Sequence, residues 1–374
     1  MKKFLLLATL VLICSASLAQ TQTIYKFENV KDIKVTSVKN QARTGTCWCF
    51  ATVSFLEAEL IRTGKGEQDL SEMFIVRHNY YDRINDNYLR SGKGNIFPGS
   101  IAHMAIKVME KYGLVPEEAY SGINYDSKTH NHTELSEYLK AITDVAVNLK
   151  QRSPEYYKLI DNLFDTYLGP LPTEFTYKGK QYTPKSFAED LNLNAEDYIE
   201  ITSFNHHPFY EKVPLEIPDN WDNERLYNVP LEDMINIIDN ALLNGYTIAW
   251  DGDLTKGSFN HARGIAINPR SEDFDEAVKL EKVFPELVVT QEIRQKDFET
   301  FKTVDDHLMH LTGIVKDQDG TYFYKTKNSW GTGRNEEMAG YLYMSKSYIE
   351  MRTISILVHK NAIPKEIKNK LGIK

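Results

Sequence analysis

Gln41-Ala42-Arg43-Thr44-Gly45-Thr46-Cys47-Trp48-Cys49-Phe50-Ala51 is the stretch from which the rest of this chain is read. A thiol is a nucleophile only as thiolate, and a helix N-terminus or a cationic neighbour such as imidazolium lowers its pKa. From Cys47 to Arg62 there is no Gly or Pro, and Ala, Leu, Glu and Phe are frequent. The stretch therefore predicts a helix with the thiol in its first turn, where the macrodipole favours negative charge. Gly45 and Thr46 give that helix a tight entry.

Far downstream stand Asp306-His307-Leu308-Met309 and Lys327-Asn328-Ser329-Trp330-Gly331. Acyl transfer from a thiol needs a proton shuttle, an orienting group and an oxyanion site, and these residues can fill those roles. His307 is the candidate shuttle, and Asn328 accepts a hydrogen bond from its other ring nitrogen to fix the tautomer. Gln41, six residues before Cys47, can bring its side-chain amide to the oxyanion beside the Cys47 backbone N–H. Trp330 is placed to shield the His–Asn hydrogen bond, and Trp48 sits beside the thiol.

In this order the blocks resemble papain-like cysteine peptidases: Gln, then Cys-Trp opening a helix, then His, then Asn-Ser-Trp-Gly. Asp69-Leu70-Ser71-Glu72 resembles the family's Leu-Ser-Glu stretch. Pro98-Gly99-Ser100 resembles its Gly-rich substrate-binding loop, with Gly-Ser where the family has Gly-Gly. The His-x-Met form at His307 and Met309 and a large insertion are most similar to the bleomycin hydrolase and aminopeptidase C branch. The resemblance implies an α+β, papain-like two-lobed fold with a helical left lobe, a β-barrel-like right lobe and a large, mainly helical insertion. It implies peptide substrates, release of N-terminal residues, and a hexameric homo-oligomer in which the C-terminus lies in the cleft. An endopeptidase with an open cleft and a non-catalytic peptide-binding protein are the alternatives.

His310 rivals His307, but the Asp-His-x-Met context favours His307, leaving His310 as a strand residue packing nearby. Cys49 lies two residues from Cys47, so on a helix it points elsewhere and reads as core. With 42% hydrophobic and 26% charged residues in 374, the chain has material for a sizeable core. A net charge of −8 offers no basic footprint for nucleic acid.

Residues 1–19 read as a secretory signal peptide: Met1-Lys2-Lys3, an apolar run from Phe4 to Ile13, and Ser17-Leu18-Ala19 before the cut. A secreted or periplasmic location follows, and the apolar run is too short to span a bilayer. Past the leader only Cys47 and Cys49 remain, so no structural disulfide is expected. Residues 20–40 are too few for a long inhibitory propeptide, so a narrowed cleft, a plug or an enclosure should restrain the thiol. The tail, residues 360–374, could reach roughly 50 Å if extended and act as that plug; the alternative is a surface helix from Lys365 to Leu371.

The left lobe is expected over residues 41–123, the insertion over 124–225 and the right lobe over 226–359. Within the insertion, helices are predicted over Glu134–Leu149, Glu155–Leu168 and Ser186–Leu191, with a hairpin at Tyr177–Tyr182. Strands are predicted at Tyr246–Trp250, Leu311–Val315, Tyr322–Thr326 and Ile354–Val358, and a helix at Met234–Asn244. Ser271–Asp297 reads as a charged surface segment. Asp251 and Asp253, following a strand, are candidates to bind a peptide's positive N-terminus. His130 with His132, and His206 with His207, lack an evident Cys or carboxylate partner, so no metal is expected. No cofactor motif is present.

Overall fold

The computed structural model describes residues 24–254, 257–334 and 337–374. The signal-peptide segment lies outside the described residues. After β1 (Glu28–Asp32), the chain builds a helical lobe around α1 (Cys47–Arg62). This helix is buried at every position from Trp48 to Leu60; a helix covered on all sides is a central one, and its neighbours wrap it. α2 (Glu72–Leu89) starts at Ser71, whose hydroxyl accepts from the Phe74 N–H at 3.1 Å. α3 (His103–Tyr112) follows the Pro98–Ser100 loop.

The segment expected as one insertion divides in two. Its first part forms α4 (Thr133–Leu149), α5 (Pro154–Leu168), the hairpin β2 (Phe175–Tyr177) and β3 (Lys180–Tyr182), and α6 (Pro184–Leu191). Leu135, Leu139 and Ala146 on α4, and Tyr156, Ile160, Phe164 and Leu168 on α5, enter the same core as α1. Spacing of four and seven residues puts each set on one face. The second part is strand: β4 (Tyr198–Thr202), β5 (Lys212–Pro214) and β6 (Arg225–Asn228) join the right-lobe sheet.

That sheet continues through α7 (Leu231–Leu243), β7 (Ile248–Gly252), β8 (Phe259–Asn260), β9 (Ile265–Ala266), α8 (Phe274–Ala277) and α9 (Gln291–Glu299). β10 (His307–Lys316), β11 (Tyr322–Lys327), β12 (Tyr341–Ser345), α10 (Lys346–Arg352) and β13 (Thr353–His359) complete it. The strand order is β5-β6-β4-β13-β7-β10-β11-β12-β9-β8, with β1 pairing on β10. Helix α7 packs Met234, Ile237, Ile238 and Ala241 onto Trp250, Met309 and Ile356 of the sheet. The antiparallel register sets His307 opposite Gly252, and His310 opposite Lys327. The catalytic candidates from the right lobe thus come from neighbouring strand ends.

Two expectations change. Ser271–Asp297 is not uniformly a surface segment: Arg294 is fully buried, donating to the carbonyls of Ser203, Glu350, Met351 and Thr353. Those carbonyls lie at strand ends and a helix C-terminus, and a forked five-donor guanidinium can serve several at once. The tail forms α11 (Lys365–Leu371), with Ile367 and Leu371 buried in the right-lobe core and Lys370 3.4 Å from Asp233 of α7. It is therefore docked on the right lobe as a helix and not extended as a plug. Among the described residues, no helix is long and apolar enough to cross a membrane.

Candidate active site

Cys47 opens α1, and the helix entry is held close to the Pro98–Ser100 loop. A Cβ on Gly45 would lie 2.7 Å from Pro98 Cγ, so only glycine fits there. The buried Trp48 indole donates to the Pro98 carbonyl at 3.0 Å. Cys47 is half-buried, and the Leu308 backbone N–H lies within hydrogen-bonding reach of its sulfur. Cys49 is fully buried, with its thiol donating to the Glu72 carbonyl at 3.3 Å.

His307 Nε2 and Asn328 Oδ1 are 2.9 Å apart, which leaves Nδ1 for the thiol side. Asn328 Oδ1 also accepts from the Ser329 N–H at 2.7 Å, fixing the amide. The Trp330 ring stands 4.9 Å from the His307 ring and 5.0 Å from His261, whose Nδ1 is 3.4 Å from Asn328 Nδ2. His310 lies three residues along the strand and so faces the other way, towards Ser54 Oγ on α1 at 2.8 Å. Gln41 Nε2 donates to the Thr44 carbonyl at 2.8 Å, and its Oε1 accepts from Ser329 Oγ at 2.6 Å. One Nε2 hydrogen remains for a ligand. The Ser329 hydroxyl is a supporting group that motif reading did not single out, although it sits inside the Asn-Ser-Trp block.

Electrostatics depart from the expectation of a lowered thiol pKa. Burial pushes the Cys47 thiol up to about 12; the Leu308 amide opposes this, while Asp305, Asp251 and Asp219 add to it. Burial likewise pulls His307 down to about 4, against the Asn328 hydrogen bond that favours its charged form. Both shifts favour the uncharged forms, so the attack of the sulfur is accompanied by transfer of its proton to His307.

Asp251 is almost fully buried, and neither of its oxygens meets a partner in good hydrogen-bonding geometry. Burial and the facing Asp305 carboxyl hold it well above the usual carboxylate range. Burial, together with Asp219 and other acids, pushes Asp305 up to about 7. Asp251 is thus brought beside the thiol. Asp253 instead accepts from the Val304 N–H at 2.9 Å, as a loop-fixing group. Ser100 is buried with its hydroxyl unpartnered, next to Gly99.

The two histidine pairs differ. His130 and His132 are buried, and desolvation pulls them down to about 4 and about 3, as neutral polar-core groups. His206 and His207, away from the thiol, both meet Glu216, at 3.1 and 2.7 Å. The carboxylate partner missed in the sequence comes nine residues after His207.

The sequence pattern of the Peptidase C1-like family matches residues 171–373, more than half of the chain. The chain belongs to that family. The papain family cysteine protease pattern matches residues 25–182, which carry Gln41 and Cys47. This C1-like chain is 23% identical to aminopeptidase C of Streptococcus thermophilus, covering 90% of this chain and 83% of that protein. It is 25% identical to aminopeptidase E of Lactobacillus helveticus, covering 88% and 82%. A crystal structure of pepw from Lactobacillus rhamnosis superposes with a TM-score of 0.72 at 18% identity, over 92% of this chain and 84% of that one. The fold is papain-like, and the C1-like protein is a cysteine-type peptidase.

Proposed function

We propose that this C1-like peptidase is an aminopeptidase, releasing residues from peptide N-termini through an acyl-enzyme. The observation that carries the chemistry is the 2.9 Å His307–Asn328 hydrogen bond, with the next residue's backbone N–H facing the Cys47 sulfur. Cys47 attacks the scissile carbonyl as its proton passes to His307. The Cys47 N–H and the free Gln41 Nε2 hydrogen receive the oxyanion. His307 then protonates the leaving amine and afterwards draws a proton from the water that releases the acyl group. The exopeptidase reading is supported by relatives named aminopeptidase C and aminopeptidase E that align over most of this chain.

Docking of the tail on the right lobe favours a second reading, an open-cleft endopeptidase. Aminoacyl-coumarin substrates with free and acetylated N-termini separate the two. The aminopeptidase reading expects hydrolysis of the free form alone, and equal rates on both would overturn it. Cys47→Ala should abolish turnover in either case. The proposed leader places the enzyme outside the cytoplasm, secreted or periplasmic; N-terminal sequencing of exported protein should then begin near Gln20. A homo-oligomer, suggested by the resemblance, is checked by light scattering on the purified chain.

A further inference from the structure

With the tail docked on the right lobe, an aminopeptidase needs another group to end the non-primed side. Residues 215–224, inside the segment between β5 and β6, form a loop closed on itself by Asn220. Its Nδ2 donates to the Leu215 and Glu224 carbonyls at 3.0 Å each, and its Oδ1 accepts from the Glu224 N–H at 3.1 Å. The loop is pinned to α3, because Asp222 meets His103 Nε2 at 3.0 Å and Lys107 Nζ at 2.6 Å. Asn95 holds the other side, donating to the Pro218 carbonyl at 2.7 Å and to Asp219 Oδ1 at 3.3 Å.

This arrangement lays Asp219 over Gly99. A Cβ on Gly99 would lie 2.0 Å from Asp219 Oδ2, so the carboxylate fills the space directly above the loop residue that the papain resemblance assigns to substrate backbone. The Gly99 carbonyl already accepts from Arg83. Asp219 is partly exposed, and among the described residues its Oδ2 accepts no hydrogen bond. Near the thiol stands Asp251, fully desolvated and paired with the Asp305 carboxyl. The open Asp219 carboxylate oxygen, opposed only at longer range by the Arg83 guanidinium, lies where a substrate cation can meet it.

The geometry points to Asp219 as the anchor for the α-ammonium group of the substrate, with the neighbouring Asp305 adding to the negative field, so that this loop restricts the enzyme to free N-termini. A chain continuing past the scissile residue would need the space that Asp219 occupies. A free ammonium would instead meet its Oδ2. The bound ammonium would also offset the carboxylates that hold the Cys47 thiol up, so the same contact that seats the substrate favours thiolate. The inference rests on the aminopeptidase reading and assigns it to a residue of the chain.

A lysine side chain one residue before the scissile position carries the same chemistry, so the test separates the two sources. Wild type, Asp219→Asn and Asp219→Glu are assayed on alanyl-coumarin, N-acetyl-alanyl-coumarin and N-acetyl-lysyl-alanyl-coumarin, with iodoacetamide alkylation of Cys47 as a site-integrity readout. Asp219→Asn should lower kcat/KM on the free substrate at least about tenfold, the loss of one charge-assisted contact. Activity on N-acetyl-alanyl-coumarin should not fall, alkylation should be as fast as wild type or faster, and Asp219→Glu should recover part of the preference. If Asp219→Asn keeps the wild-type preference for the free substrate, the anchor assignment is wrong while the aminopeptidase reading stands. Loss confined to the acetyl-lysyl substrate also overturns it, by making Asp219 a side-chain subsite. Equal cleavage of free and acetylated alanine by wild type would instead sink the aminopeptidase reading itself.

Discussion

At the residue scale the site is organised by amides more than by charge. Asn328 orients His307, Ser329 orients Gln41, and the Gln41 N–H donates to the Ser329 carbonyl at 2.8 Å. Asn328→Ala should lower kcat by roughly ten- to a hundredfold with little change in KM, because the imidazole loses its fixed orientation. The pH profile should carry the sign of a depressed histidine. Activity is present while His307 is neutral and is lost as pH falls through about 4, since a protonated ring cannot take the thiol proton. An acid limb in kcat/KM near pH 6.5 would contradict the burial that sets this value. These residues were legible in the sequence because acyl transfer accepts few residue types in each role. Asp219 was not legible: its Pro-Asp-Asn context marks a turn, but only the folded loop shows which glycine it lies over.

At the element scale, long periodic helices and apolar strands were readable, and the short polar strands were not. β5 and β6 have three and four residues with mixed polarity; β5 pairs on β6 and β6 on β4, which itself sits on an edge supplied by distant β13. Arg294 shows the same limit. In a charged run it reads as surface, yet α9 inserts it fully buried under the carbonyls of Ser203 and Thr353. Arg294→Met should cost about 2–4 kcal/mol through orphaned carbonyls, seen as a lower denaturant midpoint with kcat per folded molecule unchanged.

At the scale of the whole molecule, the tail is a structural element of the right lobe. Removing residues 365–374 strips Ile367 and Leu371 from the core. Stability should drop by roughly 3–5 kcal/mol, while the ratio of free to acetylated substrate hydrolysis stays the same. A shift of that ratio towards acetylated substrates, at intact stability, would mean that the tail governs the cleft after all.

The left-lobe core is not made by the left lobe alone. Ala249, Leu308 and Leu357, from β7, β10 and β13, are buried in one cluster with α1 and the insertion helices. Neither lobe can swing from the other without exposing that apolar surface, so the groove is a fixed mould and not a jaw. The two halves should melt together in a single calorimetric transition, with calorimetric and van't Hoff enthalpies equal. Substrates are then sorted by fit at the threshold, before any closing motion could inspect them.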